Sequence, residues 1–188
     1  YDFAIVLTPY VAARDDDCVF AFYEYICERV DIGIVLFNVP QVCHSIEPGL
    51  AKRLAALPNI CAYKQANPGP AATHSIMQAV GNDLVISVAD EAPWMTSMTQ
   101  LGINWLLNYN PHLYQVPGWL PLKDYTEAAM VGDIKRATEI ACSLQPLRDL
   151  HAKWIMGRWR ASRMPLAEMK AWQETDCRAD QYALQCLR

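Results

Sequence analysis

Lys64 closes the apolar run Ile60-Cys61-Ala62-Tyr63-Lys64, so the pattern places an amine at the carboxyl end of a buried strand, where α/β proteins set their ligands. An amine in apolar surroundings is penalised for carrying charge. Its proton affinity falls, and the free base can attack a ketone to form an imine. The plain alternative is a lysine whose stem lies along the strand while its charge reaches into the next loop. Phe37 and Asn38 close another apolar run and lead directly into Val39-Pro40, as a strand end running into a turn would. Tyr10, after Thr8-Pro9, brings a phenol to the end of a third run, where it could relay protons or simply cap a sheet. Asp90 and Glu91 end a fourth; a carboxylate pair can act as acid and base, and just before Pro93 it also suits a helix start.

The runs that present these residues are Phe3 to Leu7, Gly33 to Asn38, Ile60 to Lys64, Leu84 to Ala89 and Ile103 to Asn108. Most are continuously apolar rather than alternating, which predicts parallel strands buried under helices. Stretches of helical period separate them: Asp16 to Val30, Glu47 to Leu57, Ala71 to Val80 and Ala92 to Leu101, several opened by Asp, Glu or Pro. Beyond Asn108 only helices are predicted, over Tyr125 to Met130, Ile134 to Trp154, Leu166 to Gln173 and Asp180 to Leu187. Periodicity alone leaves open whether five parallel strands form a doubly wound sheet or most of a barrel.

Composition narrows the class. The 188 residues are 53% hydrophobic, enough for a substantial core. A net charge of −4 and no Lys/Arg-rich run argue against a nucleic-acid surface. No apolar run approaches the roughly 20 residues that span a bilayer, and Tyr1-Asp2-Phe3 does not read as a basic leader, so a soluble cytoplasmic protein is expected. The 7 cysteines include no C-x-x-C pair, and several sit in apolar runs as small buried hydrophobes would. His44, His74, His112 and His151 are dispersed, so no metal site is expected. The tryptophans read as packing. No G-x-G-x-x-G, P-loop, G-x-S-x-G or H-E-x-x-H occurs, which weakens nucleotide, serine-hydrolase and zinc-protease readings.

Taken in order, Leu7-Thr8-Pro9-Tyr10, Leu36-Phe37-Asn38-Val39-Pro40, and Leu57-Pro58-Asn59-Ile60 with Tyr63-Lys64-Gln65-Ala66 resemble the dihydrodipicolinate synthase and N-acetylneuraminate lyase family. There, T-P-Y-Y ends one barrel strand, Y-N-V-P the next, and a G-I-K-E-A-like segment the third. The resemblance runs on through Gly81-Asn82-Asp83 and Val85 to Asp90, and more loosely into Gly132-Asp133 and Pro165 to Lys170. It implies a (β/α)8 TIM barrel of which this chain covers roughly the second half: residues 1–130 as about five β/α units and 131–188 as a carboxyl-terminal helical segment. It implies that Lys64 forms a Schiff base with pyruvate or a similar 2-oxo acid, without a cofactor. Early strands, including the loop that grips the pyruvate carboxylate in the family, have no counterpart in these residues, so a polypeptide longer at its amino end is expected. A homo-oligomer, dimer or tetramer, is implied likewise.

Three departures bear on chemistry. The Y-N-V-P tyrosine, which shuttles protons in the family, is Phe37; the second tyrosine of T-P-Y-Y is Val11; and the arginine that follows Y-N-V-P in the synthase is missing from Gln41-Val42-Cys43-His44. The missing arginine argues against lysine biosynthesis. Losing the phenol should slow proton transfer by about 10² to 10⁴-fold unless Tyr10 or a substrate group substitutes. The strand-end glycine that contacts pyruvate is Ala89, while Leu107 and Asn108 take the pocket-facing end of the last strand. The expected activity is an aldolase or dehydratase with Lys64 and Tyr10 as catalytic groups. Phe37, Asn38, Ala89, Leu107 and Asn108 would line the site for the 2-oxo acid and an aldehyde partner. The alternative is a family member that has lost catalysis and serves as a ligand-binding or regulatory barrel.

Overall fold

In the computed structural model, which describes residues 1–10, 13, 15–66, 69–107, 115–150 and 153, five strands form a single parallel sheet. They are β1 (Phe3–Leu7), β2 (Gly33–Asn38), β3 (Ile60–Gln65), β4 (Val85–Val88) and β5 (Trp105–Leu106). Their order in space is β1-β2-β3-β4-β5, the order of the chain. A doubly wound sheet reverses direction at a switch point, so a sequential order points to barrel construction rather than a doubly wound sheet. Curvature agrees. Four strand spacings separate the edge strands by about 19 Å in a flat sheet. Yet Phe3 on β1 and Trp105 on β5 meet edge to face with ring centroids 5.9 Å apart, which requires the sheet to curl round its own side chains.

Four helices follow the strands in turn: α1 (Asp16–Cys27), α2 (Pro48–Ala55), α3 (Pro70–Val80) and α4 (Trp94–Leu101). The Asp15 side chain caps α1 by accepting the Cys18 N–H at 2.9 Å, with Asp16 and Asp17 adding favourable charge in the first turn. Val19, Tyr23 and Cys27, four apart, form its buried stripe, and the Tyr23 hydroxyl donates to the Val6 carbonyl of β1 at 2.8 Å. Prolines in the first turn open α2 and α3 at no hydrogen-bonding cost. Leu50, Ala51 and Leu54 of α2 and Thr73, Ile76 and Val80 of α3 complete the covering layer. Gly102, at φ 68°, takes the left-handed turn that ends α4.

The elements differ from expectation mainly at their ends. α1 stops at Cys27 rather than Val30, where the Arg29 N–H tightens onto the Ile26 carbonyl three residues back instead of four. β5 keeps only two residues, since it is paired only through Ser87↔Trp105 and Val88↔Leu106. Between β2 and β3 the register slips at Ile34/Val35, leaving Cys61 as an extra residue beside Gly33. A Cβ at Gly33 would lie 2.9 Å from the Cys61 sulfur, so any larger residue there would have to push the Cys61 side chain aside.

The chain divides into two compact units, Tyr1–Glu139 and Ile140–Arg188. The first also contains α5 (Pro121–Met130), which begins earlier than expected because Pro121 starts a helix well. The chain passes into the second unit along α6 (Ile134–Ser143). The single helix expected to Trp154 is interrupted at Leu144, two residues before Pro146, whose ring and missing N–H cannot continue a helix; helix resumes over 145–150. The helices expected over Leu166 to Gln173 and Asp180 to Leu187 lie outside the described residues. No helix among the described residues is long and apolar enough to cross a membrane.

Candidate active site

Register decides which side chains share a face. Leu7, Phe37, Lys64, Ser87 and Trp105 stand side by side across the five strands, so all five project from one face of the sheet. That face is the concave one, since Trp105 meets Phe3 across it. Ala89 and Leu107, two residues beyond Ser87 and Trp105, belong to the same face by alternation, one step nearer the carboxyl end. The Leu107 N–H is shared between the Ser87 hydroxyl at 3.0 Å and the Val88 carbonyl at 3.1 Å, which ties β5 to β4 at this level.

Lys64 is buried, and its Nζ sits 4.1 Å from the centroid of the Phe37 ring. Burial pulls its amine below the ordinary lysine range, while the charge of Asp90 works the other way. The lysine's own strand, Ile60-Cys61-Ala62-Tyr63, supplies no carboxylate. Asp90 acts from beyond the end of β4, a neighbour that strand pairing alone reveals. Ser87, the register neighbour of Lys64, was likewise not singled out, and no sequence signal identifies a pairing partner.

Asn38 falls on the opposite, helix-covered face, paired with Gln65. Its amide donates to the Gln65 side-chain oxygen at 3.0 Å and its Oδ1 accepts the Ile46 N–H at 2.9 Å. The Tyr63 hydroxyl donates to the Ile46 carbonyl at 2.7 Å, and burial pushes that phenol strongly up. Two neighbouring strands thus grip both polar groups of one loop residue. The same loop is fastened to the end of β1 by the Thr8 hydroxyl, 3.3 Å from the His44 carbonyl, and to α1 by a 2.7 Å contact of His44 with Asp16.

Asp90 and Glu91 lie just before α4, as the helix-start reading expects, and the Glu91 carbonyl accepts the Trp94 N–H at 2.9 Å. Glu91 is buried and accepts the Tyr125 hydroxyl at 2.7 Å, and the Trp94 indole donates to Thr126 at 2.9 Å, so α5 holds the connection after β4. Tyr10 is 64% exposed at the end of β1. Val11 and Asn108 lie outside the described residues. Among the described cysteines only Cys27 is buried; Cys18, Cys61 and Cys142 are exposed, contrary to their expected role as core hydrophobes, Cys61 because the bulge turns it out.

A lysine at a strand's carboxyl end on the concave face of a sequentially ordered parallel sheet is what the family resemblance requires. The model of the dihydrodipicolinate synthetase family matches residues 1–174. The chain belongs to that family. It is 25% identical over 191 residues to the 4-hydroxy-tetrahydrodipicolinate synthase of Listeria innocua, covering 95% of this chain and 64% of that protein. The dihydrodipicolinate synthase structure from Aquifex aeolicus superposes with a TM-score of 0.70 at 25% identity, over 79% of this chain and 50% of that one. Escherichia coli YagE, a prophage protein of the same family solved in complex with pyruvate, gives 0.70 at 18% identity over 80% and 51%. The fold is therefore part of a (β/α)8 barrel, and the chain spans between about half and two thirds of the length of these relatives.

Proposed function

We propose that this chain is the lysine-bearing part of a lyase, an aldolase or dehydratase, that holds a 2-oxo acid such as pyruvate as a Schiff base on Lys64. The observation that carries the reading is the amine itself, buried on the concave face at the carboxyl end of β3, with its proton affinity lowered by burial. A neutral Nζ adds to the C2 carbonyl carbon, the carbonyl oxygen leaves as water, and the imine nitrogen takes a proton to become an iminium that withdraws electrons from C3. Phe37, Ala89 and Leu107 surround it with apolar surface that suits an apolar aldehyde partner. Tyr10, at the end of β1, is the phenol to which this reading assigns the proton transfer that a hydroxyl at position 37 would otherwise carry. Asn38, engaged by Gln65 and Ile46, serves the site by holding the loop that follows Phe37. YagE, which shares this fold, was solved with pyruvate, and that supports the choice of ligand class.

The test is reductive trapping. Incubating the intact polypeptide with pyruvate and borohydride should add one pyruvate-derived mass to the peptide containing Lys64, and Lys64→Ala should remove the label entirely. A label on the exposed Lys52, or on Lys123, would refute the site. No label with any 2-oxo acid would favour a barrel that binds ligands without catalysis.

A further inference from the structure

The ring of Phe37 does more than line a pocket. Its position beside Lys64 in the register brings the two side chains onto one face, and the Nζ lies 4.1 Å from the ring centroid, well within the roughly 6 Å over which an aromatic face attracts a cation. Lys64 is buried and Phe37 partly so, and such an attraction is stronger there than at an exposed site. We propose that Phe37 is a positioning residue whose ring face holds the Lys64 ammonium and then, after imine formation, the iminium that replaces it. This rests on the Schiff-base reading and assigns the aromatic ring a task that needs no hydroxyl. The charge at the nitrogen is conserved through the step: an ammonium loses its proton, the amine forms the C–N bond, water leaves, and the protonated imine restores a cation at nearly the same place. A ring that binds the first cation also binds the second.

Among the described residues, the charged group that acts on Lys64 is Asp90, beyond β4; β2 contributes the neutral Phe37, and β3 itself no charge beside the amine. Phe37→Leu removes the π face but keeps an apolar side chain. Fluorinated phenylalanines at position 37 keep the shape and weaken the ring's attraction for cations in graded steps. Phe37→Tyr keeps the face.

In the full-length polypeptide, the Lys64 midpoint is read by NMR titration of isotope-labelled lysine, without any ketone, and again from the pH profile of pyruvate trapping. Phe37→Leu should lower the midpoint by roughly one pH unit, a tenfold loss of proton affinity. The fluorinated series should lower it stepwise, and Phe37→Tyr should restore the native value. Coincident midpoints across native, leucine and fluorinated proteins would overturn the proposal even if the label still forms on Lys64. A graded midpoint with no label on any variant would uphold the ring's hold on the ammonium, but overturn its iminium role along with the lyase reading.

Discussion

At the carboxyl end of the sheet Thr8, Asn38, Gln65 and Ser87 are all buried and all hydrogen-bonded, and Lys64, beside Ser87 in the register, lies over an aromatic ring. At the amino end Phe3, Cys61 and Val85 are exposed, and a cavity of about 360 Å³ opens between Cys61, Met77, Asn82, Asp83, Val85 and Asn104. The contrast lies in where polar groups are buried and engaged. The cleft where the strands start is bordered by the exposed Cys61 and Val85, whereas the carboxyl end, where barrel enzymes place their chemistry, holds its polar side chains in buried hydrogen bonds. Buried polar groups stay in place only when satisfied, so their density at one end marks where geometry is being controlled.

Three substitutions probe this difference. Asn38→Ala should have the largest effect on stability, because it leaves the Gln65 side-chain oxygen and the Ile46 N–H without their partner in a dry setting. A loss of about 2–3 kcal/mol is expected, read from urea unfolding as a lower midpoint at unchanged slope. A loss below about 0.5 kcal/mol would mean that water replaces the amide and that the end is wetter than its burial indicates.

Lys64→Met should act more gently and in the opposite direction. The folded amine binds its proton less tightly than the unfolded one, whose midpoint is near ~10.4. Between those two values the unfolded chain carries the extra proton, so native stability rises with pH across that window, by at most about 1.4 kcal/mol per unit. Below the folded midpoint the penalty is fully present. The methionine variant should be more stable than the native protein at neutral pH and should lose that slope, as measured by unfolding at several pH values. An unchanged slope would place its origin in another group.

Val85→Thr, at the other end, should change stability by less than about 0.5 kcal/mol, because Val85 is 50% exposed in this chain. A much larger cost in the intact polypeptide, with little in the isolated 188 residues, would show that further structure covers the concave face there.

Much of this was legible in the sequence, and the limits have a physical pattern. Continuous apolar runs announce parallel strands because both faces are buried, so Lys64 could be placed at a strand end before any pairing was known. The division of Phe37 and Asn38 between opposite faces could not, because neighbouring residues always point apart and only the partner strand decides which one meets Lys64. The slip at Ile34/Val35 sets Cys61 beside Gly33, a residue far away along the chain, so no local signal announces it. Asp90 looked like a helix signal because local charge near a proline usually is one. Its influence on Lys64 arises from the pairing of β3 with β4.

Ile46 offers its N–H to Asn38 and its carbonyl to Tyr63, so one residue of the β2–α2 loop is clasped by two adjacent strands. Holding a loop still costs conformational entropy, of the order of 1–2 kcal/mol for each residue fixed. That cost is met when the chain folds. In the proposed reaction, a ketone arriving beside Phe37 would find the loop already ordered, and its binding energy would not be diverted to ordering it. Loosening the clasp, by Tyr63→Phe for example, would shift that entropy onto the binding step, weakening affinity for the ligand while leaving the amine's own reactivity as it was.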